Sequence, residues 1–205
     1  MSALHCVAEI RDIERQALAS RPPYTLMQRA GAACAELAQE LLNSSTPSSP
    51  AVLVLAGPGN NGGDALETAC VLAEAGIDVA IQLHAGASRH QPEDARRALA
   101  RAREAAIDFI DELTPAALQR QSWALVIDGL FGIGLSRPPD SRLRAIIRHV
   151  NTLACPVLSI DVPSGLDADR QPVRPGERQG RGGLSGDVEE GREGDKQTGA
   201  RHDRR

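Results

Sequence analysis

Three short segments carry most of the chemistry-bearing residue types in this chain. The first is Gly57-Pro58-Gly59-Asn60-Asn61-Gly62-Gly63-Asp64, directly after the apolar run Val52-Leu53-Val54-Leu55. The second is Asp128 followed by GLFGIGLSRP, residues 129–138, and the third is Asp161-Val162-Pro163-Ser164-Gly165. Gly57, Gly59 and Gly62 spell G-x-G-x-x-G, but a dehydrogenase fingerprint also needs an acid about 20 residues on, to hold a ribose hydroxyl. That stretch reads IQLHAG and has none. No G-x-x-x-x-G-K-[ST] occurs either, which excludes the lysine-based triphosphate grip of a P-loop. The glycines still let main-chain N–H groups come close to a ligand, and a helix beginning near Asp64 would aim the positive end of its dipole there. A diphosphate suits such a cradle. Asp64 would repel a phosphate at contact distance, so it is expected to cap the helix or to accept from a ligand hydroxyl. A tight strand-to-helix turn that binds nothing is the alternative for this loop taken alone.

Asp128 and Asp161 each close an apolar run, LVID and LSID. A carboxylate at the mouth of a sheet is costly to bury unless a cation or hydrogen-bond donors compensate it. With the amide oxygen of Asn61 and the hydroxyl of Ser164, these groups could make an oxygen-rich pocket. Oxygen ligands select hard cations, and few carboxylates among several neutral oxygens suit a monovalent ion better than a divalent one. Either aspartate alone could equally cap a helix or anchor a turn.

The elements that must position these residues read as follows. Val7, Ile10, Ile13, Ala17 and Leu18 mark a helix over 7–19, which Pro22-Pro23 ends; Thr25 can cap a second helix striped by Leu26, Ala30, Cys34, Leu37 and Leu41. From Ala51 the pattern alternates: strand 51–56, helix 64–75, strand 77–83, helix 91–105, strand 107–110, helix 115–121, strand 123–128, helix 139–151, strand 156–161. Short apolar runs alternating with helical segments predict β-α-β units. The fold class is therefore α/β, a Rossmann-like three-layer αβα sandwich with a mostly parallel sheet, preceded by two N-terminal helices.

Hydrophobic residues make up 41% of the 205 and aromatics 2%, so Ala, Leu, Val and Ile must build the core. One domain is expected over 1–169. Residues 170–205 are mostly charged, Gly or Gln, with too few apolar side chains to offset the entropy of ordering, and a disordered polar tail is expected there. The formal charge of −4 argues against a nucleic-acid surface. No apolar stretch approaches the roughly 18 residues needed to cross a membrane. Cys6, Cys34, Cys70 and Cys155 show no paired spacing and read as buried thiols, as expected in a reduced, soluble, cytoplasmic compartment. The five histidines form no metal spacing, with His84 a candidate ligand contact near the end of the second strand.

GPGNNGGDAL, VIDGLFGIGLSRP and SIDVPSGLDAD, in this order, resemble the NAD(P)H-hydrate epimerase family, the YjeF amino-terminal domain; the leader VAEIRDIERQAL and LMQRAGAACAELA resembles its opening helices. The resemblance covers roughly residues 4–170. It implies an isomerase that interconverts the R and S forms of hydrated NADH and NADPH, so that a dehydratase partner specific for one epimer can repair the whole pool. It also implies substrate contacts at Asn60, Asn61, Gly62, Gly63, Asp64, Gly132, Ile133, Gly134, Leu135, Ser136, Arg137, Pro138 and Asp161, potassium ligands at Asn61, Asp128 and Ser164, and a homodimer paired through the first helices. Asp161, from its strand-end position, is the expected general acid/base. A non-catalytic binding module of the same fold and an ordinary Rossmann oxidoreductase are the competing functions. The chain departs from the family at Ala65, where glycine is usual, and after SGLDAD, where the polar tail replaces the strands that finish the family's sheet.

Overall fold

The computed structural model describes residues 5–44, 51–84, 91–111, 114, 122–135 and 138–165. The helix expected at 115–121, Ser136, Arg137 and the expected tail at 170–205 lie outside the described residues. Two helices lead, α1 (Val7–Ala19) and α2 (Thr25–Asn43). There follow β1 (Val52–Ala56), α3 (Asn60–Glu74), β2 (Val79–Leu83), α4 (Glu93–Glu104), β3 (Asp108–Phe109), β4 (Leu125–Gly129), α5 (Ser141–Val150) and β5 (Val157–Ser159).

The strands form one parallel sheet in the order β3-β2-β1-β4-β5. β1 lies at its centre, with Val52 opposite Val79 on one side and Leu125 on the other. The chain moves outward from β1 through β2 and β3, then returns to place β4 on the far side of β1. This reversal leaves a crevice beyond the carboxyl ends of β1 and β4, where ligands bind in open parallel sheets. Both ends carry the residues singled out above.

The alternation within β1 shows how the two faces are covered. Val52, Val54 and Ala56 pack with Leu66, Ala69 and Leu72 of α3, with Ala35 and Ala38 of α2 and with Ala95, Ala98 and Ala102 of α4. Leu53 and Leu55 pack instead with Trp123 and with Leu143, Ile146, Ile147 and Val150 of α5. Burying each such Leu, Val or Ile contributes about 1.5–3 kcal/mol. α5 starts cleanly because the Asp140 carboxylate accepts from the Leu143 N–H at 2.8 Å, a side-chain N-cap.

One polar network crosses the helical layer. Glu67 of α3 is buried and accepts from the Tyr24 hydroxyl and from Arg101 Nη1, the latter at 2.5 Å; Arg101 Nη2 donates to Glu74 at 2.6 Å. Burial, then the hydrogen bond to Glu67, pushes the Tyr24 phenol well above its usual range, so it remains a donor. The network thus links the start of α2 to α3 and α4.

Three expectations need correction. Thr25 does not cap α2: Tyr24 does, in the left-handed region at φ 73, with its N–H donating to Asp94 of α4 at 3.2 Å. α3 begins at Asn60 with Gly59 as its N-cap, four residues before Asp64, and Gly63 N–H already donates to Gly59 O at 3.1 Å. Helix propensity gave no reason to place two glycines in the first turn of a helix; close packing of that turn overrides it. Finally, the cysteines are not uniformly buried. Cys70 is, and burial pushes its thiol up to about 11, but Cys6 is exposed at the start of α1, a helix that buries no residue. Among the described residues no helix is long and apolar enough to cross a membrane.

Candidate functional site

The crevice is built by backbone stacking. A Cβ on Gly57 would strike the Leu130 carbonyl, and one on Gly62 would strike the Gly57 carbonyl. Gly57 N–H donates to Gly129 O at 3.0 Å, so the loop after β1, the first turn of α3 and the loop after β4 lie main chain against main chain. The sequence reading assigned these glycines to ligand approach. Gly57 and Gly62 also serve main-chain packing, while at Gly59 nothing lies within 4 Å of an added Cβ, which leaves the start of α3 open.

Asp128 sits at the centre, fully buried on β4. Its Oδ1 accepts from Leu130 N–H at 3.2 Å and Ser164 Oγ at 2.6 Å; its Oδ2 accepts from Ser159 Oγ at 3.1 Å and Ser164 N–H at 2.9 Å. Burial pushes its carboxyl up, and these hydrogen bonds hold it down in part. Asp128 therefore fastens the β5 strand and the turn at Ser164 to the end of β4.

Of the three residues expected to ligate an ion, Asn61 and Ser164 meet at the main chain of Phe131, and Asp128 joins them through its hydrogen bonds with Ser164. Its N–H donates to Ser164 Oγ at 3.0 Å, and its carbonyl accepts from Asn61 Nδ2 at 2.9 Å and lies 3.3 Å from Ser164 Oγ. Asn61, Asp128 and Ser164, far apart in sequence, are thus neighbours. The Phe131 carbonyl is a fourth oxygen that sequence reasoning missed, because a main-chain atom leaves no residue-type signal. One carboxylate among neutral oxygens is the donor set of a hard monovalent cation. The Asp128 lone pairs are largely taken by its four donors, so the oxygens of Asn61, Ser164 and Phe131 are the readier ligands and Asp128 supplies the charge. Among the described residues no group of three His, Cys, Asp or Glu could hold a metal.

Asp161 is exposed, in the left-handed region at φ 69, and its Oδ2 accepts from Ile133 N–H at 2.7 Å. A Cβ on Gly132 would strike that same oxygen and would come 3.4 Å from the Asn61 side-chain carbon. Gly132 is thus the gap across which Asp161 and Asn61 face each other. Asp64 stands one turn beyond Asn61 on α3, on the same face. Burial, then the charges of Glu14, Asp161 and Glu67, push its carboxyl up to about 7. Being the fifth residue of α3, Asp64 does not cap that helix. The arrangement places a carboxyl that holds its proton near neutral pH in the electrostatic reach of a carboxylate on the opposite loop, which is equipment for moving protons.

The remaining expected residues fall on the rim. Asn60 and Gly134 are exposed; Ile133, Leu135 and Gly132 form a turn closed by Leu135 N–H donating to Gly132 O at 3.1 Å; Pro138 is exposed beyond it. Gly63 is buried against Met27. His84, just past β2, donates its N–H to Ala56 O at 2.8 Å and meets the Phe131 ring edge-on.

Comparison with known proteins identifies the family. The family described as YjeF-related protein N-terminus matches residues 23–177. An NAD(P)H-hydrate epimerase from Achromobacter xylosoxidans (strain A8) is 46% identical over 169 residues, 82% of this chain and 76% of that protein. A bifunctional NAD(P)H-hydrate repair enzyme, Nnr, from Corynebacterium glutamicum is 37% identical over 157 residues, 75% of this chain and 26% of that enzyme. The crystal structure of yeast ynu0, YNL200c, has the same fold, with a TM-score of 0.72 at 21% identity, covering 85% of this chain and 76% of that one. With the strand-end segments gathered at one crevice and a match that spans most of its length, this chain belongs to the YjeF-related N-terminal family, that of the NAD(P)H-hydrate epimerases.

Proposed function

We propose that this chain interconverts the R and S forms of hydrated NADH and NADPH, in a potassium-dependent reaction. The observation that carries the reading is the meeting of Asn61 and Ser164 at the Phe131 main chain, with Asp128 bonded to Ser164, next to the Asp161 carboxylate, at the β1/β4 crevice. The relatives' names supply the substrate class.

The substrate bears a hydroxyl at C6 of the reduced nicotinamide ring. Inversion there requires the C–O bond to break and re-form. The departing hydroxyl takes up a proton relayed by Asp161 and leaves as water, while the ring nitrogen shares its lone pair with the cation left at C6. Water then adds to the other face and returns a proton to Asp161. The hydrogen bond from Ile133 N–H fixes Oδ2, leaving Oδ1 for the exchange. The open N-terminus of α3, with Asn60 through Asp64, receives the nucleotide, and the rim from Gly132 to Pro138 borders it. Asn61, Ser164 and the Phe131 carbonyl, with the charge of Asp128, would hold potassium, which would supply positive charge to the site. The functional partner is a dehydratase specific for one epimer, and Ile13 and Leu18, exposed on α1, support pairing of two copies through that helix.

The test is to give the purified chain one epimer of hydrated NADH, first with potassium and then without, and to follow the other epimer. Appearance of the second epimer only with potassium is the expected result. Tight binding with no turnover under either condition would replace the reading with that of a binding module.

A further inference from the structure

α1 buries no residue of its own, yet two of its side chains reach toward the crevice. Arg11 Nη2 lies 3.9 Å from the point a Cβ on Gly134 would occupy. Glu14, three residues on and on the same face, is one of the charges acting on Asp64 of α3. α1 therefore reaches both walls of the site, the loop after β4 and the first turns of α3. Among the described residues no carboxylate lies within 4.0 Å of the Arg11 guanidinium, whereas Arg15, the next arginine of the helix, is paired with Asp12 at 2.8 Å.

The rest of the mouth is acidic. Glu14 and Asp161 are both charges felt at Asp64, in the crevice where the proposed substrate, itself a polyanion, must lie. Backbone amides at the start of α3 and a monovalent cation offset only part of that repulsion. An unpaired guanidinium beside a residue with no side chain has both a charge to give and the room to present its fork of donors to a phosphate.

We propose that Arg11 binds a phosphate of the substrate, which makes α1 a wall of the binding site. The proposal rests on the epimerase reading for the substrate's identity but not for the presence of a phosphate site. Two phosphates could be the target: the diphosphate common to both substrates, or the 2′-phosphate that only hydrated NADPH carries.

The experiment compares Arg11→Gln, Arg11→Lys and, as a control for a charge lost elsewhere on α1, Arg15→Gln. KM and kcat are measured for hydrated NADH and hydrated NADPH, and ADP-ribose and its 2′-phosphate are titrated calorimetrically at low and high salt. Circular dichroism checks that each variant is folded. The expected result is a KM raised about tenfold or more in Arg11→Gln with kcat kept, partial recovery in Arg11→Lys, and no change in Arg15→Gln. An equal loss for both substrates assigns the diphosphate; a loss confined to hydrated NADPH assigns the 2′-phosphate. Unchanged KM in Arg11→Gln, or an equal effect of Arg15→Gln, overturns the proposal. Should the parent chain not epimerise, the calorimetry decides: ADP-ribose binding that weakens in Arg11→Gln keeps the phosphate site while the epimerase reading falls, and binding that is absent or indifferent to Arg11 overturns the site as well.

Discussion

Replacing Glu67 by alanine removes the acceptor that Tyr24 and Arg101 share and leaves both donors facing a space alanine does not fill. The Glu67 side chain is 1% exposed, so the change breaks a buried pair, for which about 3–5 kcal/mol is typical. Arg101 is 33% exposed and keeps Glu74, which screens and partly replaces the loss, so the lower end applies, about 3 kcal/mol. For a chain of this length 1 kcal/mol moves Tm by roughly 2–4 °C, which gives a fall of about 6–12 °C. Glu67→Gln keeps the shape and an oxygen for Tyr24 and should fall between. Thermal and urea unfolding of the two variants and of Tyr24→Phe measure this, and the double variant Glu67→Ala/Tyr24→Phe should be less destabilised than the sum, since both changes remove one interaction. A Tm for Glu67→Ala within about 2 °C of the parent would refute the reasoning, because α2, α3 and α4 would then be held without this network.

Asp64→Asn tests the raised carboxyl. An aspartate ordinarily loses its proton near 3.8, and Asp64 in the folded chain does so at about 7, so between these values the folded state binds more protons and stability falls as pH rises. The variant should abolish that slope and be the more stable protein above pH 7, by on the order of a few kcal/mol; urea midpoints across that range that still track the parent would contradict it. Asp161→Asn should lower kcat by about 10²–10⁴ with little change in KM, read by steady-state epimerisation, and full activity would remove Asp161 from the chemistry. Ser164→Ala takes away both a donor to Asp128 and the acceptor of Phe131 N–H, so the potassium concentration for half-maximal activity should rise about tenfold or more; an unaltered potassium curve would clear Ser164 of that role.

The central strands were legible because their apolar runs are continuous: Val52 to Ala56 and Leu125 to Gly129 are buried throughout, as no other strand among the described residues is. The clustering of Asn61, Asp128 and Ser164 was also legible, since three strand ends of one parallel sheet must share an edge. What could not be read depended on atoms without a residue-type signature. The Phe131 carbonyl is main chain. The start of α3 on Asn60 depends on how closely Gly62 approaches the Gly57 carbonyl, a fact of packing that opposes local propensity. Glu67 looks like any exposed helical glutamate in sequence, and only the positions of Tyr24 and Arg101 explain its burial.

The backbone stacking of Gly57 on Leu130 and of Gly62 on Gly57 also limits how the protein can change over evolutionary time. A side chain at either position would pry apart the contact that shapes the cleft, so no lysine can be grafted there to recruit a triphosphate. New ligand preferences must arise from outward-facing neighbours such as Asn60 and Arg11, whose replacement leaves the floor of the cleft untouched. Diversification in such a scaffold is therefore confined to its rim.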